Sequence, residues 1–260
     1  MAIVTLLTDF SGQDAYVGAM KGAILTLTPN ATIVDITHEV PPQNILSGAY
    51  LLKTTYSYFP PGTIHVAVVD PGVGTERRAI AAQTDRHTFL APDNGLLTWS
   101  LREERTVRYY ELNRPETFLA DVSHTFHGRD VFAAVAGHLA SGEGLGHVGA
   151  EIFCASGKPP IAQLDIPVPE NCGHYWLAHV IHVDRFGNLI TDYEAQGTEI
   201  SRVLLNDQMI PFAQTYGRVP HGSPVCVVGS SGHLELCING GNAAQSFGSV
   251  TGASLRVYTG

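Results

Sequence analysis

Apolar positions in the first half of the chain alternate between two periods. Ala2 to Thr8 is a β-branched, apolar run that predicts a strand, and Val17, Met20, Ile24 and Leu27 then recur at helical spacing. TIVDIT predicts a second strand. Ile45, Ala49, Leu52, Tyr56 and Phe59 mark the face of a second helix, and TIHVAVVD a third strand. A βαβαβ order of this kind builds a mainly parallel sheet with helices on its faces. AIAAQT and HTFLA then read as a pair of strands, TVRYYEL as another, and Arg129 to Leu139 as a helix ended by SGEG.

The pattern changes in SGKPPIAQLDIPVPENCG, which carries four prolines and little periodicity. Beyond it, HYWLAHVIHVD, RVLLND, PVCVVG, HLELCI and SLRVYT are short runs separated by Gly, Asn and Pro, with no convincing helix. They predict a small antiparallel sandwich or barrel. The expected organisation is an α/β domain over residues 1–157, a linker over 158–173 and a smaller β domain over 174–260.

Composition narrows the function classes. With 44% hydrophobic residues the chain can bury a proper core. Fifteen Lys and Arg against 24 Asp and Glu give a net charge of -9, which repels a phosphate backbone and disfavours nucleic acid as a partner. No apolar run is long enough to span a bilayer, and the chain opens in strand-like sequence without a basic segment, so a cytoplasmic protein is expected. Cys154, Cys172, Cys226 and Cys237 form no CxxC pair, and three of them lie in apolar runs, which predicts reduced, buried thiols.

Ligands of open α/β sheets bind beyond the carboxyl ends of the strands. Here those ends are Thr8-Asp9, Thr37-His38 and Asp70. Asp9 by itself reads equally well as a cap on the following helix; three polar strand ends together favour a site. After Asp70, DPGVGTERR makes a tight loop that projects Arg77 and Arg78 near the same edge. It matches neither a P-loop nor a dinucleotide fingerprint. The twelve histidines include no HExxH and no closely spaced ligand set, so no metal site is expected. His127 in TFHGRD differs from the rest, lying before a helix start between Phe126 and the charged Arg129 and Asp130.

Seven segments carry a wider resemblance: LLTDFSGQDAYVGAMKG, IVDITHEVPPQNI, FPPGTIHVAVVDPGVGTERR, LAPDNGLL, TFHGRDVFA, DRFGNLITD and GSSGHLELCINGGNAA. In this order the chain resembles the S-adenosylmethionine (SAM) hydroxide adenosyltransferases, relatives of fluorinase and chlorinase. The resemblance implies an N-terminal α/β domain, a C-terminal β-barrel-like domain, and homotrimers with sites between neighbouring subunits. It implies SAM as a small-molecule substrate, with no cofactor besides, and a catalytic set of Asp70, Arg77 and His127 around the attacking water. For the substrate it implies Asp9 at the ribose hydroxyls and Asp184 and Ser230 at the methionine end. Phe186, Asn188, Tyr216 and Asn239-Gly240 fall to the adenine pocket. Phe126 joins the substrate-binding set, and so does Ser231, which replaces the arginine that clamps the methionine carboxylate in fluorinase.

The chemistry fits these residue types. A sulfonium leaves as a neutral thioether, so only a nucleophile has to be made. A guanidinium favours hydroxide character, and a carboxylate–histidine pair can orient and accept a proton. Either Asp70 or His127 can be the immediate acceptor at this stage. Two other readings are a SAM-dependent halogenase, which the resemblance disfavours because fluorinase carries an extra segment where only a short stretch separates GTERR from LAPDNGLL here, and a non-catalytic SAM or adenosine binder, against which the intact triad counts.

Overall fold

The computed structural model describes residues 2–153, 158–195 and 197–260. Cys154 and part of the expected linker lie outside that set. Two compact units divide at Met1–Leu164 and Asp165–Gly260.

In the first unit, β1 (Ile3–Thr8), α1 (Tyr16–Leu27), β2 (Thr32–Thr37), α2 (Ile45–Lys53) and β3 (Ile64–Val68) form the expected βαβαβ series. β4 (Ala79–Gln83), β5 (Thr88–Pro92), α3 (Thr98–Leu101), β6 (Arg108–Glu111), α4 (Ala134–Ala140), α5 (Leu145–Val148) and β7 (Ala150–Ile152) follow. The seven-stranded sheet has the order β2-β1-β3-β5-β4-β6-β7. β2, β1, β3 and β5 run parallel, and β4, β6 and β7 extend the sheet antiparallel. β1 and β3 are buried almost throughout, as suits central strands covered on both faces. Met20 and Ile24 of α1 and Phe132, Val135 and Ala136 before and within α4 pack on them. Each large apolar side chain so buried contributes about 1.5–3 kcal/mol.

Two elements depart from the sequence pattern. The second helix stops at Lys53, where Thr54 and Thr55 follow, and Tyr56 sits instead in a separate 3₁₀ turn, Tyr56–Tyr58. The helix expected from Arg129 begins as a π-helical stretch, Gly128–Ala133, before it becomes α4.

The second unit is built from β8 (Glu170–Asn171), β9 (Trp176–Val183), β10 (Leu189–Glu194), β11 (Ile200–Leu205), β12 (Gln208–Ile210), β13 (Pro224–Val228), β14 (His233–Ile238) and β15 (Ser254–Thr259). All pair antiparallel in the order β12-β11-β15-β9-β10-β14-β13, with β8 beside β9. A bridge from Phe212, just past β12, to Cys226 on β13 brings the two ends together, so the sheet is a nearly closed barrel. A short helix absent from the sequence reading, α6 (Ala243–Phe247), is capped by Asn242 and ended by Gly248 at φ 60°. Cys226 and Cys237 are buried free thiols as expected, whereas Cys172 is exposed. No helix among the described residues is long and apolar enough to cross a membrane.

Candidate active site

The chain leaves β1, builds β2 on one side and then crosses to β3 on the other, so β1 and β3 flank the point where strand order reverses. Ligands of open sheets collect outside the strand ends at such a point. Thr8 pairs with Val68, which sets Asp9 and Asp70 at adjacent strand ends. Asp9 is not a helix cap: α1 begins after Ala15 with no side-chain cap, and Asp9 Oδ2 accepts the Gln43 backbone N–H at 2.8 Å. At the third strand end, His38 is held by Thr8 Oγ1 at 2.8 Å and Asp35 Oδ1 at 3.1 Å.

The loop after Asp70 doubles back on itself. Gly74 has φ +77°, and a Cβ there would overlap the His124 carbonyl oxygen. The loop therefore closes on the 124–127 corner only with glycine at this position. Arg77 consequently returns to Asp70, with Nε 3.0 Å from both carboxylate oxygens and an Nη2 contact of 2.5 Å to Oδ2. The same nitrogen lies 2.9 Å from His127 Nδ1, and the guanidinium carbon is 5.6 Å from the centroid of the Phe132 ring. Both ion-pair side chains are largely covered, at 10% exposure for Arg77 and 5% for Asp70. Asp70, Arg77 and His127 thus form one continuous cluster.

This geometry sets the histidine's protonation. A guanidinium only donates, so Nδ1 must accept and the ring proton of neutral His127 resides on Nε2. Burial first, and then the charge of Arg77, lower the pKa of the imidazole below its ordinary value, against smaller opposing effects from Asp70 and Asp130. The corner is braced from behind by Asp130, which is fully buried, accepts the Ser123 backbone N–H at 2.8 Å and bonds Arg129 Nε at 2.6 Å. Phe126 packs edge-on against Phe10 and Tyr16, with centroids 5.9 and 5.1 Å away, and Arg129 covers its ring at 4.9 Å.

Arg78, the sequence neighbour, goes elsewhere. It pairs with Asp93 at 2.5 Å and donates to the Pro160 carbonyl at 2.8 Å, while Asp93 accepts Ala162 N–H at 2.7 Å. Its work is to hold the 160–162 segment.

A second cluster belongs to the β unit and surrounds a cavity of about 860 Å³. Asp184, Phe186, Asn188, Tyr216, Ser230 and Gly240 all line it. Asp184 organises its own loop, accepting the backbone N–H groups of Phe186 and Asn188 and the Asn188 amide at 2.8–2.9 Å. Gly187, at φ +83°, lets that loop pass the side chain of Asn242. Phe186 is left 75% exposed at the cavity rim. Asn239 donates to the Val219 carbonyl at 2.8 Å, anchoring the loop before β13, and Ser231 sits beside Ser230 in the β13–β14 turn.

Glu235, which the sequence reading passed over, also lines this cavity and is 8% exposed. Tyr216 donates its hydroxyl to Glu235 Oε2 at 3.1 Å, and burial raises the carboxyl pKa above its ordinary value. The available signal was a lone carboxylate in the apolar run HLELCI.

Known proteins are similar to this chain over nearly its whole length. Models of the SAM hydroxide adenosyltransferase N-terminal and C-terminal domains match residues 4–149 and 178–256. The (R)-S-adenosyl-L-methionine hydrolase of Thermus thermophilus is 38% identical, over 99% of this chain and 100% of that protein. A fluorinase from an Actinoplanes species is more distant, 27% identical over 98% of this chain and 97% of its own. Among solved structures, an uncharacterized conserved protein from Thermotoga maritima superposes with a TM-score of 0.88 at 33% identity, covering 98% of this chain and 99% of that one. The chain belongs to the SAM hydroxide adenosyltransferase family.

Proposed function

We propose that this protein is a SAM hydrolase, cleaving the sulfonium–C5′ bond with water to give adenosine and L-methionine. The observation that carries the reading is the Asp70–Arg77–His127 cluster at the strand ends of a chain 38% identical, over its full length, to a named hydrolase. The water oxygen attacks C5′, the C5′–S electron pair leaves on sulfur as a neutral thioether, and one proton is released. Arg77 cannot take that proton, and His127 Nδ1 is occupied by Arg77. Asp70 is therefore assigned as the acceptor, through carboxylate lone pairs that Arg77 does not use. The water is held at Asp70, Arg77 supplies the positive charge that favours hydroxide character, His127 fixes Arg77 through Nδ1, and proximity supplies the rest. The reaction as written uses no metal and no cofactor.

For the substrate, we assign Asp9 and Phe126 to the ribose end, Asp184, Ser230 and Ser231 to the methionine end, and Phe186, Asn188, Tyr216, Asn239 and Gly240 to adenine. The size of the cavity, within the usual 300–1,000 Å³ range for small-molecule pockets, supports this. A cytoplasmic homotrimer with sites shared between neighbouring subunits completes the proposal, and sedimentation of active enzyme tests the trimer. The reaction is tested by chromatography after incubation with SAM, with and without chloride or fluoride. Adenosine and methionine are expected in equal amounts and independent of halide; a halo-adenosine, or no turnover, overturns the reading.

A further inference from the structure

Among the described residues, one group of histidine and carboxylate side chains brings its ligand atoms within 4.8 Å of one another: His138, Glu143 and His147. It lies where the chain turns from α4 into α5. Gly142, at φ +103°, ends α4 and reverses the chain, and the Glu143 backbone N–H then bonds the His138 carbonyl at 3.2 Å. This puts the Glu143 carboxylate between the two imidazoles, with Oε1 2.9 Å from His138 Nδ1 and Oε2 2.9 Å from His147 Nε2.

We propose that His138, Glu143 and His147 form a binding site for a borderline divalent transition metal of the Zn²⁺ type, clipping the end of α4 to α5. Two imidazoles and one carboxylate are a donor set such ions accept, with a fourth position open to water. A tetrahedral ion with bonds of about 2.1 Å separates its ligand atoms by about 3.4 Å. With one carboxylate oxygen and one nitrogen from each imidazole, the ligand atoms lie within 4.8 Å of one another, so the widest pair closes by at most about 1.4 Å to reach that spacing, with the metal replacing the shared protons. Exposure of the His147 and Glu143 side chains leaves the site open to ions from solvent. Ions that take only oxygen ligands, such as Mg²⁺ and Ca²⁺, do not suit this set.

The clip is separate from the reaction chemistry. His138 follows His127 by eleven residues along one continuous helical segment, which at about 1.5 Å per residue puts the two roughly 16 Å apart. The role that follows is to fasten the end of the helix whose start carries His127.

Calorimetric titration of tag-free, chelator-stripped protein with ZnCl₂ tests the proposal. One tight equivalent per chain is expected, together with a rise in melting temperature. His147→Ala and Glu143→Gln should each weaken that equivalent at least tenfold and abolish the rise. His174→Ala, which changes an exposed histidine elsewhere, should alter neither. Circular dichroism of His147→Ala matching the parent shows that the fold persists. Absence of a tight equivalent, unchanged binding in the two ligand variants, or displacement of Zn²⁺ by millimolar Mg²⁺ would each overturn the assignment.

Discussion

The two regions of this chain proposed to act on substrate are built on opposite plans. At the strand ends of the α/β unit, Asp70, Arg77 and His127 are interlocked, largely covered and already bonded to one another. In the β unit, the cavity is wide, its principal aromatic is exposed, and its polar groups hold loops in shape. Interlocked charges suit a reacting group, because a water placed among them meets a field that needs no reorganisation when the bond breaks. An open pocket with an exposed aromatic suits recognition, where contact is made on binding. The contrast predicts that damage to the first region slows the bound reaction, whereas damage to the second weakens binding.

The largest effects are expected in the first region. Asp70→Asn, Arg77→Ala and His127→Ala should each lower kcat by about 10²–10⁴ with little change in SAM affinity. Their effects should not add, since one loss already leaves the water misplaced. Product chromatography and calorimetry read the two quantities separately, and a variant that loses binding instead of rate would erase the distinction between regions.

Gly74→Ala comes next. A Cβ at positive φ against the His124 carbonyl should cost at least about 2 kcal/mol of stability and detach Arg77 from His127. Thermal melting and kcat should fall together. Near-parent activity in a stable protein would mean that the loop does not set the cluster.

Phe186→Ala tests the other side, and Asp9→Ala marks the border of the first, since Asp9 stands at a strand end but is assigned to the substrate. Loss of a hydrogen bond to a charged acceptor should weaken SAM binding by about 1.5–3 kcal/mol in Asp9→Ala while leaving kcat within a few-fold. Phe186→Ala should behave alike in direction. Unchanged affinity in Asp9→Ala would reduce that residue to the anchor of Gln43.

The pH profile gives a subtler test. Protonated His127 carries a hydrogen on Nδ1 and cannot accept from Arg77. Because burial and Arg77 depress its pKa in the free protein, the acid limb of kcat/KM should lie below the ordinary histidine value of about 6.5. A limb above that value would contradict the arrangement.

The smallest effect concerns Glu235. Its folded pKa is raised, so the stability it contributes is complete when the carboxyl is protonated, below the ordinary glutamate value, and is lost as pH rises through the raised one. Glu235→Gln should therefore melt slightly above the parent near neutral pH, with the difference shrinking in acid. The opposite order would show that the charged form is the stabilised one.

Much of the framework was readable because it obeys simple periods. The β1–α1–β2–α2–β3 series shows in apolar spacing and puts Asp9 and Asp70 at strand ends; that those ends are adjacent follows from the observed order β2-β1-β3. The residues alone did not separate Arg77 from Arg78 and the resemblance named Arg77; the fold adds that the turn of DPGVGT brings Arg77 to Asp70 and leaves Arg78 to Asp93. β10 was hidden in the polar DRFGN context, and the π start at Gly128 leaves no mark in composition. Glu235 was overlooked because its burial depends on neighbouring strands that sequence does not bring together. The His138–Glu143–His147 group escaped for a related reason, as its spacing fits no metal motif until Gly142 turns the chain.

Water, held by the Asp70–Arg77–His127 cluster, is the proposed nucleophile at C5′. A single turnover in oxygen-18 water, with mass analysis of both products, measures this directly. One heavy oxygen is expected at the 5′-hydroxyl of adenosine and none in methionine. Unlabelled adenosine, or label appearing in methionine, would contradict that assignment.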